Sequence, residues 1–306
     1  MENRAYYSSI SFKYDQTIAD LWGGSLRRCQ DNIRSLLNLV HFSSDDVVMD
    51  IAAGTGIASE VLLEKSVKHL YLVDNCCNML ERAEFKLGKY PTEWKFIGKK
   101  WEQREELKDD PLFYSRYYLL RPIDHVYFIL HDAYDIDNPK LELVSSTFVN
   151  KIVLANAFSS FTNPQRLLQA VYNRLQYGGY FLCTNKVKPE IKCPPSLREI
   201  IRDNLAFIMN ETTDKEPTHS QQEIKNMIQD AGFTLIYSSE ENVFVSSMER
   251  QLYFQGTVNR VRAILSERNE PYGEILSPVD WVFSKPPATE DTFYLRTEGY
   301  FIAQKQ

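Results

Sequence analysis

Asp50, Gly54, Gly56 and Asp74 are the residues of this chain whose types and spacing could do chemistry. The apolar run Val47-Val-Met-Asp-Ile51 carries the Asp50 carboxylate near its end, and Ala52-Ala-Gly54-Thr-Gly56 follows with almost no side chains. Ile57, Val61 and Leu62 then recur at helical spacing, which predicts a buried strand turning sharply into a helix. Such a turn lets a ligand lie against bare backbone, and the helix N-terminus offers N–H donors to an anion. A second apolar run, His69-Leu-Tyr-Leu-Val73, ends in Asp74. Strand, glycine loop, helix, strand and acid make the plan of a nucleotide-binding half of a doubly wound sheet.

Two nucleotide classes suit that plan, and charge separates them. The dinucleotide fingerprint G-x-G-x-x-G needs a third glycine for close helix–strand packing, and here that position is Ser59. A carboxylate such as Asp50 at the mouth of the loop repels a pyrophosphate by roughly 4 kcal/mol at about 4 Å and an effective dielectric near 20. The same carboxylate attracts S-adenosylmethionine, which carries an ammonium and a sulfonium. Its ribose hydroxyls suit Asp74, and its carboxylate suits the N–H groups after the loop.

With these residues in place, the chain resembles the class I S-adenosylmethionine-dependent methyltransferases. Asp50-Ile-Ala52-Ala-Gly54-Thr-Gly56 is similar to the first family motif and Tyr71-Leu-Val-Asp74 to the second. Tyr127-Phe-Ile-Leu-His131-Asp132-Ala133 resembles the third, whose acid reads the adenine amino group. Lys151-Ile-Val-Leu-Ala-Asn156 resembles the fourth strand, and Leu175-Gln-Tyr-Gly178-Gly179 the turn into the fifth. Asn75-Cys-Cys-Asn-Met79-Leu80 is similar to the small-molecule branch, where the Met touches adenine. The resemblance implies an α/β, doubly wound, seven-stranded and mostly parallel sheet of order 3-2-1-4-5-7-6 with the seventh strand antiparallel. It also implies that Tyr14, Asp50, Ala52, Gly54, Gly56, Asp74, Asn75, Met79, Asp132, Ala133 and Asn156 bind the cofactor. Tyr14, in an aromatic segment near the N-terminus, corresponds to the residue that covers the methionine end of the cofactor, or it docks the N-terminal helix on the core.

Alternating β and α patterns continue along the chain and imply a parallel sheet. Strands are predicted at 47–51, 69–73, 126–130, 151–156, 180–184, 233–238 and 299–303. The expected divisions are helices of an N-terminal lid over 1–45, a Rossmann-like core over 46–241 and 292–306, and a cap over 242–291. An insertion at 90–124 interrupts the core. Long loops in a compact domain are functional or disordered. Aromatic content argues against disorder here, and the 242–291 segment reads as a substrate cap, with a helix over 251–268. Its alternative is a homodimer interface.

The formal net charge of −6 disfavours nucleic acid, which needs a basic track along its phosphates. No apolar run approaches the roughly 18 residues of a membrane span. The five cysteines, odd in number and without C-x-x-C spacing, fit a reducing cytoplasm, the expected location. No His/Cys/Asp/Glu set has metal-ligand spacing, so no metal is expected.

Methyl transfer needs alignment above all, and positioning can contribute roughly 7–11 kcal/mol. A base is needed only for an acceptor that must lose a proton. His219, ahead of a helix capped by Ser220 and Glu223, and His131, beside Asp132, are the candidates. The expected activity is methylation of an O or N nucleophile, C less favoured, on a small aromatic or apolar metabolite of secondary metabolism. The alternatives are an enzyme of the same fold acting on protein or RNA and, more remotely, an NAD-dependent oxidoreductase.

Overall fold

The computed structural model describes residues 7–8, 11–21, 25–65, 67–87, 95–97, 117–121, 126–139, 141, 143, 149–188, 219–245 and 293–306. Its frame is a nine-stranded sheet. The strands are β1 (Val47–Ile51), β2 (His69–Asp74), β3 (Lys95–Ile97), β4 (Tyr117–Arg121), β5 (Val126–Leu130), β6 (Val149–Ala155), β7 (Leu175–Val187), β8 (Phe233–Val245) and β9 (Phe293–Lys305). The helices that matter here are α1 (Tyr14–Leu21), α2 (Leu26–Leu37), α3 (Ile57–Leu63), α4 (Cys77–Leu87), α5 (Pro164–Arg174) and α6 (Gln221–Asp230).

Strand order is β3-β4-β5-β2-β1-β6-β7-β9-β8. The run from β5 to β8 is the expected seven-stranded order, with β9 antiparallel to both neighbours. The sequence reading missed the antiparallel β3–β4 pair, which extends the sheet at the β5 edge. These strands come from the 90–124 insertion, read from its aromatic content rather than from any alternation. The strands at the other edge are also longer than hydropathy suggests. β8 and β9 stay paired from Phe233 and Lys305 to Val245 and Phe293. Their ladder runs through Ser238-Ser-Glu-Glu-Asn242, where apolar alternation stops but backbone pairing does not. The sheet therefore includes Asn242–Val245, which the sequence reading assigned to the cap. Residues 246–292, including the helix expected over 251–268, lie outside the described residues.

Burial on both faces explains the near-continuous apolar strands of the parallel part. One face packs Val48, Leu70, Leu72, Val153, Leu182 and Ile302 against α2, α3 and α4. The other packs Met49, Tyr71, Ile152, Phe181 and Phe301 against α5 and α6. Caps fix the helix ends. Ser25 caps α2, Asn163 with Pro164 starts α5, and Ser220 with Glu223 forms a capping box on α6.

Parallel strands point their carboxyl ends the same way, so Asp50, Asp74, Asp132 and Asn156 converge on one edge of the sheet. The opposite edge is held by polar contacts. The Lys151 ammonium pairs with Asp46 and lies 5.0 Å from the Phe42 ring centroid, while the Ser43 N–H donates to Asp46 at 2.7 Å. Both charged side chains of this pair are buried. Removing one partner of such a pair leaves an uncompensated buried charge. Lys151→Met is accordingly expected to cost about 3–5 kcal/mol in urea unfolding. A change within experimental error would show that the pair contributes nothing.

Candidate functional site

Ala52, Gly54 and Gly56 take left-handed backbone angles, φ 52°, 55° and 77°. Glycine adopts these without strain, and they fold the loop so that its amides turn back toward β2. The Gly54 N–H donates to Asp74 Oδ2 at 2.8 Å, and the Cys76 N–H donates to Asp74 Oδ1 at 2.8 Å. Asp74 thus ties the glycine loop to the turn after β2. At Gly56 a Cβ would stand 3.2 Å from that of Ala83, so the missing side chain lets α3 start directly beside α4.

Ser59, the residue that breaks the dinucleotide fingerprint, has a positive use. Its Oγ donates to Asp50 Oδ2 at 2.6 Å. Asp50 is 1% exposed, and burial pushes its carboxyl up from 3.8 to about 7. Burial also raises Asp74, to about 6, against the lowering effect of its backbone donors. Desolvation disfavours the charged form of both acids, and their proximity adds repulsion at Asp50. Among the described residues no cation acts on Asp50. The geometry presents two acids beside a glycine loop with little side chain, an arrangement suited to a cationic ligand.

The N-terminal segment covers this loop. Tyr14 Cε1 lies 3.8 Å from where a Gly54 Cβ would be, and Tyr7 meets Tyr14 edge-on at 6.1 Å between centroids. Asp15 accepts from Thr55 Oγ1 and pairs with Lys86 Nζ at 2.6 Å, and Lys86 also donates to Thr55 Oγ1 at 3.3 Å. Arg82 on α4 donates to the Phe12 carbonyl at 3.0 Å. One helix α4 therefore latches both the loop and α1. The sequence reading found Tyr14 but missed Asp15, Lys86 and Ser59. Their polarity marks nothing until the helices are packed.

At the end of β5, the Asp132 side chain accepts from the Tyr134 N–H at 3.0 Å and starts the short turn that buries Ala133. The His131 N–H donates to the Asp74 carbonyl at 3.0 Å, which sets the two acid-bearing strand ends side by side. The His131 imidazole is buried and lies 2.9 Å from the Asp135 carbonyl through Nε2. Asn75 is exposed at the turn, and Met79 is buried in the first turn of α4. Asn156 closes β6 in the left-handed region, φ 57°, unusual for a residue with a Cβ. Its N–H donates to the Thr184 carbonyl at 2.8 Å, and its Nδ2 reaches Cys29 Sγ at 3.8 Å. His219 meets Phe158 edge-on at 6.0 Å just beyond β6, and burial lowers its pKa below the ordinary histidine value. Among the described residues no group of three or more His, Cys, Asp or Glu is placed to hold a metal ion, and no helix is long and apolar enough to cross a membrane.

A family model described as a methyltransferase domain matches residues 22–238. No curated protein matches the chain. Among solved structures, a Bacillus halodurans protein assigned as a methyltransferase superposes with a TM-score of 0.54 at 16% identity, covering 90% of this chain and 99% of its own. A Haloferax volcanii protein of the same assignment, in complex with the Trm112 methyltransferase activator, gives 0.52 at 13% identity, covering 98% and 97%. YcgJ of Bacillus subtilis gives 0.51 at 14%, covering 90% and 99%. At such identities the likeness speaks for the fold. The family model, spanning well over half of the residues and coinciding with the glycine loop and the strand-end acids, shows that the chain belongs to the methyltransferase domain family, the class I S-adenosylmethionine-dependent enzymes.

Proposed function

We propose that this enzyme moves the methyl group of S-adenosylmethionine to an O or N nucleophile, C less favoured, of a small metabolite. The observation that carries this reading is buried Asp50 and half-buried Asp74 facing a left-handed glycine loop, with no cation among the described residues acting on Asp50. The residues fit the cofactor. Asp74 keeps lone pairs for ribose hydroxyls after accepting two backbone N–H groups. Asp50 faces the cationic end, and Tyr14 covers the loop at Gly54. In this reading Ala52, Gly56 and Asn75 belong to the backbone cradle, and Met79, Asp132 and Ala133 to the adenine site. Asn156 borders the acceptor side. When bound, the cofactor supplies an activated methyl carbon on a sulfonium. The chain's own part is to align the acceptor and exclude water. His219, kept neutral by burial, is the base for an acceptor that must lose a proton. His131 is the lesser candidate, because its ring is engaged with a main-chain carbonyl.

A small acceptor suits a loop roofed by α1. A nucleic-acid acceptor runs against the net charge of −6. The aromatic or apolar character expected of the acceptor rests on the aromatic N-terminal lid and on a cap whose residues 246–291 lie outside the described residues. The NAD alternative requires a pyrophosphate against Asp50, which charge opposes.

Calorimetry with S-adenosylhomocysteine should show binding in the native chain and none in Gly54→Val or Asp74→Ala. Unchanged affinity in both would mean the site is elsewhere, and tight NAD binding in its place would overturn the reading. Because native Asp50 and Asp74 hold protons that the unfolded chain releases near 3.8, the ligand-free protein should lose stability as pH rises from about 4 to about 7. Asp50→Asn should flatten the slope of Tm against pH over that window, and an unaltered slope would contradict the assignment. Incubation with methyl-labelled cofactor and a pool of cell metabolites should place label in small products. His219→Asn should slow that labelling about 100-fold, the lower range for general base catalysis. An undiminished rate would remove His219 as the base, and label found only in protein or RNA would replace the small-molecule reading.

A further inference from the structure

The carboxyl edge of the sheet carries a second polar cluster, from Asn156 toward β7 and β9 and away from β1 and β2. β9 runs antiparallel to β7, so its first half lies beside the carboxyl end of β7. Thr184 pairs with Tyr300, and Lys186 with Glu298. Strand alternation puts Thr184 with Leu182, and Glu298 with Tyr300 and Ile302, on the face covered by α2. Asp50 and Asp74 occupy that same face and edge, in step with Val48 and Leu72.

Glu298 is fully buried, and Thr184 is 1% exposed. Among the described residues the Arg296 guanidinium forms an ion pair with Glu298 Oε1, while Glu298 Oε2 has no hydrogen-bond partner. Thr184 Oγ1 and Asn156 Oδ1 are likewise buried without one. Each of these three oxygens can accept a hydrogen bond, and two of them only accept. A buried polar atom left unpaired costs about 1–3 kcal/mol, so three in one neighbourhood mark a place where a partner belongs. Asn156 adds a left-handed φ of 57° that no glycine relieves. Strain of this kind collects at functional sites. The cluster reaches solvent at Glu241, which accepts from Tyr300 Oη at 3.1 Å. It reaches the cofactor loop through Cys29, which touches Asn156 Nδ2 and shares the α2 face with Tyr14.

We propose that Glu298, with Thr184 Oγ1 and Asn156 Oδ1, is the specificity determinant of the acceptor site and receives an amine-bearing small molecule. Acceptor oxygens call for N–H donors, and a fully buried carboxylate calls for positive charge beyond what Arg296 and Lys186 give, since burial outweighs both. A carboxylate or phosphate on the acceptor would be repelled by Glu298, with which the nearby cations Arg296 and Lys186 already interact. Burial holds Glu298 toward its neutral form in the absence of such a partner. The proposal rests on the methyl-transfer reading above and narrows its substrate class.

The test uses the full chain, methyl-labelled S-adenosylmethionine, and a cell-metabolite pool divided on a cation-exchange resin at neutral pH. Label should enter products of the retained, amine-rich fraction. Glu298→Gln keeps the shape and loses the charge. It should cut that labelling by about tenfold or more, the scale of one charge-assisted hydrogen bond, with S-adenosylhomocysteine affinity unchanged. Thr184→Val serves if the first variant fails to fold. It removes an unpaired hydroxyl, so its Tm should hold or rise while labelling of amines falls. A merely structural Thr184 would leave labelling intact. Label confined to the unretained fraction, or undiminished by the substitutions, would overturn the amine assignment while sparing methyl transfer. No label in any fraction, or no S-adenosylhomocysteine binding, would overturn the transfer reading and this one with it.

Discussion

Two carboxylates at the carboxyl ends of neighbouring parallel strands, Asp50 buried and Asp74 half-buried, govern the geometry of this site. Asp50 and Asp74 sit on β1 and β2, which pair directly, and burial raises both acids toward neutrality. Like charges out of water are held only where the surroundings compensate. The compensation from the chain is partial. Ser59 donates to Asp50, and two loop amides donate to Asp74. What remains is a standing demand for positive charge next to a backbone surface free of side chains. In the function we propose, a sulfonium donor meets that demand and a pyrophosphate aggravates it.

The loop needs a lid to make that electrostatics count, since water would screen it. Asp15 links α1 to Thr55 and Lys86. The latch brings Tyr14 Cε1 to 3.8 Å from where a Gly54 Cβ would be, an ordinary van der Waals contact, so the left-handed φ of 55° rather than crowding calls for glycine there. Gly56 plays a different part, allowing α3 to begin against Ala83 of α4, the helix that also carries Lys86. The cradle, the lid and the latch share this one helix.

The acceptor site we propose lies farther along the same edge. The antiparallel return of β9 brings Glu298 next to Lys186 and within the neighbourhood of Thr184, although more than a hundred residues separate the two strands. A mixed sheet makes this arrangement available. An all-parallel sheet would bring only the ends of strands to this edge, whereas β9 presents its beginning. Burial of Glu298 and Thr184 under α2 then turns ordinary strand residues into a wall that is apolar in neighbourhood and acceptor-rich in detail.

Local pattern was enough for the cofactor half. Asp50, Gly54, Gly56 and Asp74 lie within one strand–loop–helix–strand unit, and their spacing follows from strand length and the turn. The order of seven strands came from family resemblance at five short motifs. Hydropathy did not reveal β3 and β4, nor the polar stretch of β8, because backbone pairing persists without apolar alternation. Ser59, Asp15 and Lys86 were silent for a different reason: each acts on a partner from another element. By itself the sequence determined the loop, its acids and the class of cofactor, since those depend on contacts between near neighbours in the chain. Only the tertiary structure decided which residues roof that loop and which oxygens face the acceptor, because partners such as Thr184 and Glu298 become neighbours through strand pairing alone.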